Sequence, residues 1–145
     1  MATNIKLKNL PTGYQTIISN GRHSIIGDEP VSSKGTDLGF SPEDLILSSI
    51  AMCKVATVRY IARKNSWEIG NVEAELSQVV KRGENGKLST TVKVKISIEG
   101  DISEEQRTEL LNQAKRERNT TRWKALGTTF SGSANRLKPR RKKSD

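Results

Sequence analysis

The sequence predicts an α+β domain in which antiparallel strands pack around one long, apolar central helix. Three observations carry that expectation. Residues 5–26 alternate in short apolar pieces around an Asn20-Gly21 turn, the pattern of a three-strand meander. Residues 41–64, SPEDLILSSIAMCKVATVRYIARK, form a capped segment too long and too apolar for a strand. Residues 72–98 then alternate with period two on either side of a KRGENGK loop, and a second helix start follows at residue 101.

Each element has a local cause. Ile5 and Leu7, with bases between them, mark the first strand; Tyr14 to Ile18 mark the second and His23 to Ile26 the third. GDEPVSSKGTDLG is polar and turn-rich, so it reads as an exposed loop leading straight into the long helix. There Ser41 can cap the first amides, Pro42 suits the first helical position, and Glu43 and Asp44 complement the positive end of the dipole. Leu45, Ile46, Ile50, Cys53, Val55, Ala56, Val58, Tyr60 and Ile61 place apolar surface around much of the circumference down to about Arg63. Such a helix needs cover from both sides, which a second copy of the chain would supply. Val72, Ala74, Leu76, Gln78 and Val80 share one face of the next strand, and Leu88, Thr90, Val92, Val94, Ile96 and Ile98 one face of its partner, with Lys93 and Lys95 turned away. Ser103 and Gln106 have capping-box spacing, and Leu110, Leu111 and Ala114 give the second helix a narrow apolar stripe. A short strand is expected near residues 127–130.

Composition narrows the function classes. At 145 residues, a single domain over 1–135 with a basic tail over 136–145 is expected. No apolar run approaches bilayer length and no signal-peptide core is evident, so a cytoplasmic protein without a membrane partner is expected. One cysteine excludes an intrachain disulfide framework and a thiolate-rich metal site. The net charge of +9 is uneven, because residues 101–145 hold twelve bases against six acids and Arg136 to Lys143 alone hold six bases. That block reads as a solvated tail. Without aromatic interleaving or a recognition helix, nucleic acid is not expected as a partner.

Cys53 is the first chemical candidate. Composition alone makes it a buried core thiol, since it lies well beyond the helix turn where the dipole would favour a thiolate. Lys54 is adjacent but points about 100° away round a regular helix. His23, the only histidine, has no companion ligands, so no metal or other cofactor is implied. Arg22 beside it can stabilise a thiolate or orient an oxidised substrate. Glu43 and Asp44 are most simply capping carboxylates.

The run from Gly27-Asp-Glu-Pro30 through Gly35-Thr-Asp-Leu-Gly-Phe-Ser-Pro-Glu-Asp-Leu-Ile-Leu47 to Cys53 and Lys64 resembles the OsmC/Ohr family. The acidic-proline turn, the glycine-bearing loop, the Pro-Glu helix opening and a cysteine ten residues after that glutamate occur in the family's order. The resemblance implies an intertwined α+β homodimer whose active members are cysteine peroxidases that reduce organic hydroperoxides. It maps Cys53 onto the peroxidatic cysteine, Glu43 onto the carboxylate that positions a catalytic arginine, and Arg22 onto the nearest candidate for that arginine. Ten residues of helix rise about 15 Å, so Glu43 would reach Cys53 only through a bend, an arginine or the other subunit. The family's second, resolving cysteine has no counterpart, because Cys53 is the chain's only one. Turnover would therefore need an external thiol reductant. A pocket for an organic hydroperoxide is expected near Ile50, Met52 and Ala56. The alternative is a non-enzymatic dimer of the same fold that binds a small apolar or anionic ligand.

Overall fold

The structure is a computed structural model describing residues 3–117 and 128–136. Two compact units divide the chain at residues 46 and 47, with helix α1 (Pro42–Lys64) starting in the first and running on in the second. Apart from the backbone of Arg136, the expected basic tail lies outside the described residues.

The N-terminal unit holds the expected meander. Strands β1 (Lys6–Asn9), β2 (Thr16–Ser19) and β3 (Ser24–Gly27) pair antiparallel in that order, with Leu7 opposite Ile18 and Ile17 opposite Ile26. The Asn20 side chain accepts the amides of Arg22 and His23 at 3.0 and 2.8 Å, and Gly21 takes the positive φ that the turn requires. The loop that follows is organised by Asp28. Its buried carboxylate accepts from the amides of Glu29 and Leu38 and from the Thr36 hydroxyl. Gly35 passes so close to Glu29 that a Cβ there would meet its carbonyl oxygen at 1.8 Å. Phe40 returns beside β3, and Ser41 then starts α1 with a reciprocal pair: its hydroxyl accepts the Asp44 amide, and Asp44 accepts the Ser41 amide.

In the C-terminal unit, α1 buries Ile50, Lys54, Val58 and Ala62, one stripe at four-residue spacing. Val58 and Ala62 join Ile96, Ile98, Ile102, Leu110 and Ala114 in the core. Strands β4 (Val72–Arg82) and β5 (Leu88–Ile98) form an antiparallel hairpin with Lys93 and Lys95 on the face away from buried Val92 and Ile96. Helix α2 (Glu104–Arg116) begins with the expected Ser103–Gln106 capping box. Its buried face is Arg107, Leu110 and Ala114 rather than an all-apolar stripe.

Two expectations need revision, the last strand and the bilayer length of the long helix. The last strand, β6 (Thr128–Arg136), is longer than expected and pairs parallel with β5, with α2 in the connection. TTFSGSANR has few strand-forming apolar residues, so its assignment depends on the open edge of β5 rather than on its own pattern. Helix α1 fully buries one stripe among the described residues, although apolar residues surround it. By length and composition α1 could also cross a bilayer, since an 18-residue stretch reaches a mean hydropathy of 1.5. Its small polar residues interrupt the apolar run without lowering that mean enough. The core helix of a soluble protein meets the same description.

Candidate functional site

Cys53 sits midway along α1 and is half-buried. Successive residues on a helix turn by about 100°, so position 53 falls beside the core stripe and not within it. Ser49, Met52, Ala56 and Tyr60 surround Cys53 on the side of α1 turned from the core, with Met52 72% and Tyr60 64% exposed. The Thr57 hydroxyl donates to the Cys53 carbonyl at 2.9 Å, which satisfies Thr57 within the helix. The thiol is therefore carried on a regular, unbroken helix, next to apolar surface that the chain itself leaves exposed.

The expected pocket does not assemble as a group. Ile50 is buried in the core, whereas Met52 is exposed on the opposite side of the helix. Their three-residue grouping ignored the 200° between positions 50 and 52. Glu43 is exposed in the first turn of α1. It precedes Cys53 by ten residues in α1. Arg22 is exposed on the β2–β3 turn, with its amide bonded to Asn20. Among the described residues, clefts of about 420 Å³ include these two. One, in the N-terminal unit, has Leu7, Tyr14, Ile18, Phe40 and Leu45 in its wall together with Asp28 and Glu29. The other lies on the polar face of the β4–β5–β6 sheet around Lys93 and Lys95. Cys53 lines neither. Among the described residues, no three His, Cys, Asp or Glu side chains gather as metal ligands.

The burial of two charged side chains, Lys54 and Arg107, escaped the sequence reading. Lys54, the residue after the thiol, is 2% exposed. Its ammonium donates to the Ala114 carbonyl at 2.9 Å and lies 4.0 Å from the Glu117 carboxylate, itself buried. Arg107 is also buried and donates to the Ile98 carbonyl at 2.7 Å. The four-residue series 50, 54, 58, 62 was the available signal for Lys54. Its charge argued against reading it as part of a core face.

A family model described as OsmC-like protein matches residues 35–118, more than half of the chain. That match includes Glu43 and Cys53 and leaves Arg22 outside. Solved structures agree in fold over nearly the whole chain. An OsmC-like protein from Mycoplasma pneumoniae superposes with a TM-score of 0.81 at 15% identity, covering 95% of this chain and 99% of that one. A protein from Psychrobacter arcticus gives 0.76 at 22% identity, covering 93% and 96%. An organic hydroperoxide resistance protein from Legionella pneumophila gives 0.72 at 14% identity, covering 93% and 97%. No curated protein sequence matches the chain.

Proposed function

Because the chain belongs to the OsmC-like family, we propose that it is a cytoplasmic, homodimeric thiol peroxidase that reduces organic hydroperoxides through Cys53. The observation that carries this reading is the place of the thiol. Cys53 lies within the matched residues, half-buried, beside the exposed apolar side chains of Met52 and Tyr60. A hydrophobic hydroperoxide brought against that surface would present its O–O bond near the sulfur.

The chemistry balances with one cysteine and an outside reductant. The Cys53 thiolate attacks one oxygen of ROOH and the O–O bond breaks. Sulfur keeps OH as a sulfenic acid, and RO⁻ leaves and takes a proton to become the alcohol. Sulfur has lost two electrons and the peroxide has gained them. With no second cysteine in the chain, a small-molecule or protein thiol condenses with the sulfenic acid, releasing water and leaving a mixed disulfide. A second external thiol attacks that disulfide and restores Cys53. Glu43 and Arg22 enter only as the carboxylate and guanidinium that the family resemblance suggests, brought to the thiol by a second subunit.

Reduced protein treated with an organic hydroperoxide should gain one oxygen by intact mass and be trapped by a sulfenic-acid-specific diketone. Cys53→Ser should do neither. Wild-type protein that keeps its mass and its thiol count under excess hydroperoxide would sink the reading. The apolar cleft of the N-terminal unit favours a second reading, a dimer that binds a small apolar ligand without chemistry. Saturable ligand binding that Cys53→Ser leaves intact, with no peroxide consumption, is the result it predicts.

A further inference from the structure

We propose that Lys54 is a positioning residue for the Cys53 thiolate, holding the end of α2 beside the Cys53 turn of α1 and neutralising the negative charge that this end carries. The proposal deepens the peroxidase reading and takes its catalytic meaning from it.

Stability alone does not explain a lysine here. The rest of the stripe is Ile50, Val58 and Ala62, so an apolar side chain would continue it. Burying an ion pair generally costs as much as its attraction returns, and well-packed apolar replacements are often neutral or better. What the lysine does provide is specific. Ala114 is among the last four residues of α2, whose carbonyls have no acceptor role left within the helix. Its carbonyl takes the Lys54 ammonium at 2.9 Å, and the Glu117 carboxylate, at the residue that ends the helix, lies 4.0 Å away. The negative end of a helix dipole and a buried carboxylate are thereby brought to the residue next to the thiol. Both would oppose a thiolate on the same turn in a medium of low polarity. Lys115 and Arg116 also lie in the last turn of α2, but both are exposed and screened by solvent. Among the described residues at this end, the buried cation is Lys54.

Opposite signs test this. The probe is the neutral disulfide 4,4′-dithiodipyridine, which reports thiolate reactivity without any peroxide, applied at one fixed neutral pH to the full chain. Lys54→Met should slow labelling of Cys53 at least threefold, and Glu117→Gln, which keeps the shape and removes a negative charge, should accelerate it at least twofold. A role confined to packing would loosen the same contact in both variants and move both rates the same way. Rates shifted in one direction, or unshifted, overturn the proposal. Should Lys54→Met fail to fold, the double variant K54M/E117M removes both charges together and takes its place. Its rate is expected at least twofold below that of Glu117→Gln, and equal rates overturn the proposal. Hydroperoxide oxidation run in parallel separates the two readings: wild-type protein inert to peroxide defeats the peroxidase, while the labelling series still decides the role of Lys54.

Discussion

Asp28 concentrates three hydrogen bonds on one buried carboxylate, and that has a consequence in acid. The Thr36 hydroxyl, above all, holds its pKa below the ordinary 3.8, helped by backbone amides of Leu38 and Glu29 and opposed by burial. A carboxylate with a depressed folded pKa stabilises the fold fully above its unfolded value, and the contribution disappears as pH falls through the folded value. Asp28→Asn should therefore lower the thermal midpoint at neutral pH. The gap to wild type should begin to narrow as the pH is taken below about 3.8 and close only below the depressed folded value, where the wild-type carboxyl is protonated too. A gap that stays constant to pH 2 would show that charge is not what Asp28 contributes. Gly35 belongs to the same loop. Gly35→Ala puts a carbon 1.8 Å from the Glu29 carbonyl oxygen, so the loop must shift, at a cost of about 1–3 kcal/mol in a denaturant titration. The glycine was visible in the sequence as part of a motif. Its reason, the close approach of the Gly35 backbone to the Glu29 carbonyl, was not, because nothing in the residue order says which carbonyl will come near.

At the scale of the element, what could be read depended on how local the cause was. Both helix starts were legible because a cap involves four consecutive residues: Ser41 with Asp44, and Ser103 with Gln106. Removing the second cap with Ser103→Ala should cost about 1 kcal/mol of stability, measured by the same titration, without moving the rest of α2. The backbone amide of Glu105 itself, and then the Ser103 hydroxyl, hold the Glu105 carboxyl below its ordinary range. The interior of α2 depends on distant partners. Leu110 is wholly buried in a core drawn from α1 and β5, and Leu110→Ala should cost about 2–5 kcal/mol, several times the loss of the cap. Equal losses in the two variants would mean that α2 is held by its ends. The burial of Lys54 and the length and parallel pairing of β6 were the features of the fold that local pattern could not reveal. Lysine on a helix normally faces water, and the Ala114 carbonyl, sixty residues on, with the Glu117 carboxylate beyond it, helps make its burial tolerable. Strand β6 exists because β5 offers an edge, whatever its own residues prefer. The candidate thiol was legible in position, through the interval from Pro-Glu to Cys53. The contacts of its neighbour Lys54 were not, because they lie at the end of α2.

For the whole molecule, the outer side of α1 sets the problem. A helix with a mean hydropathy of 1.5 over 18 residues has one stripe against the core, while Met52 and Tyr60 remain largely exposed on the far side. Contiguous apolar surface of that kind marks a contact with something else. The proposed dimer commits it to a second copy, with Ser49 and Ala56 small enough to let two such helices approach. In light scattering the chain should then have twice its own 16.1 kDa mass. Ala56→Arg, which puts a long charged side chain on the proposed contact and leaves the core stripe untouched, should return it to one. The same substitution distinguishes a lipid-facing helix, for which wild-type protein would require detergent to remain dispersed and would partition into vesicles. If the dimer brings residues of the second copy to the thiol, the Ala56→Arg monomer should also lose peroxide-dependent oxidation of Cys53 while keeping its circular dichroism. A monomeric wild type would leave the thiol without the second subunit that the proposed site requires.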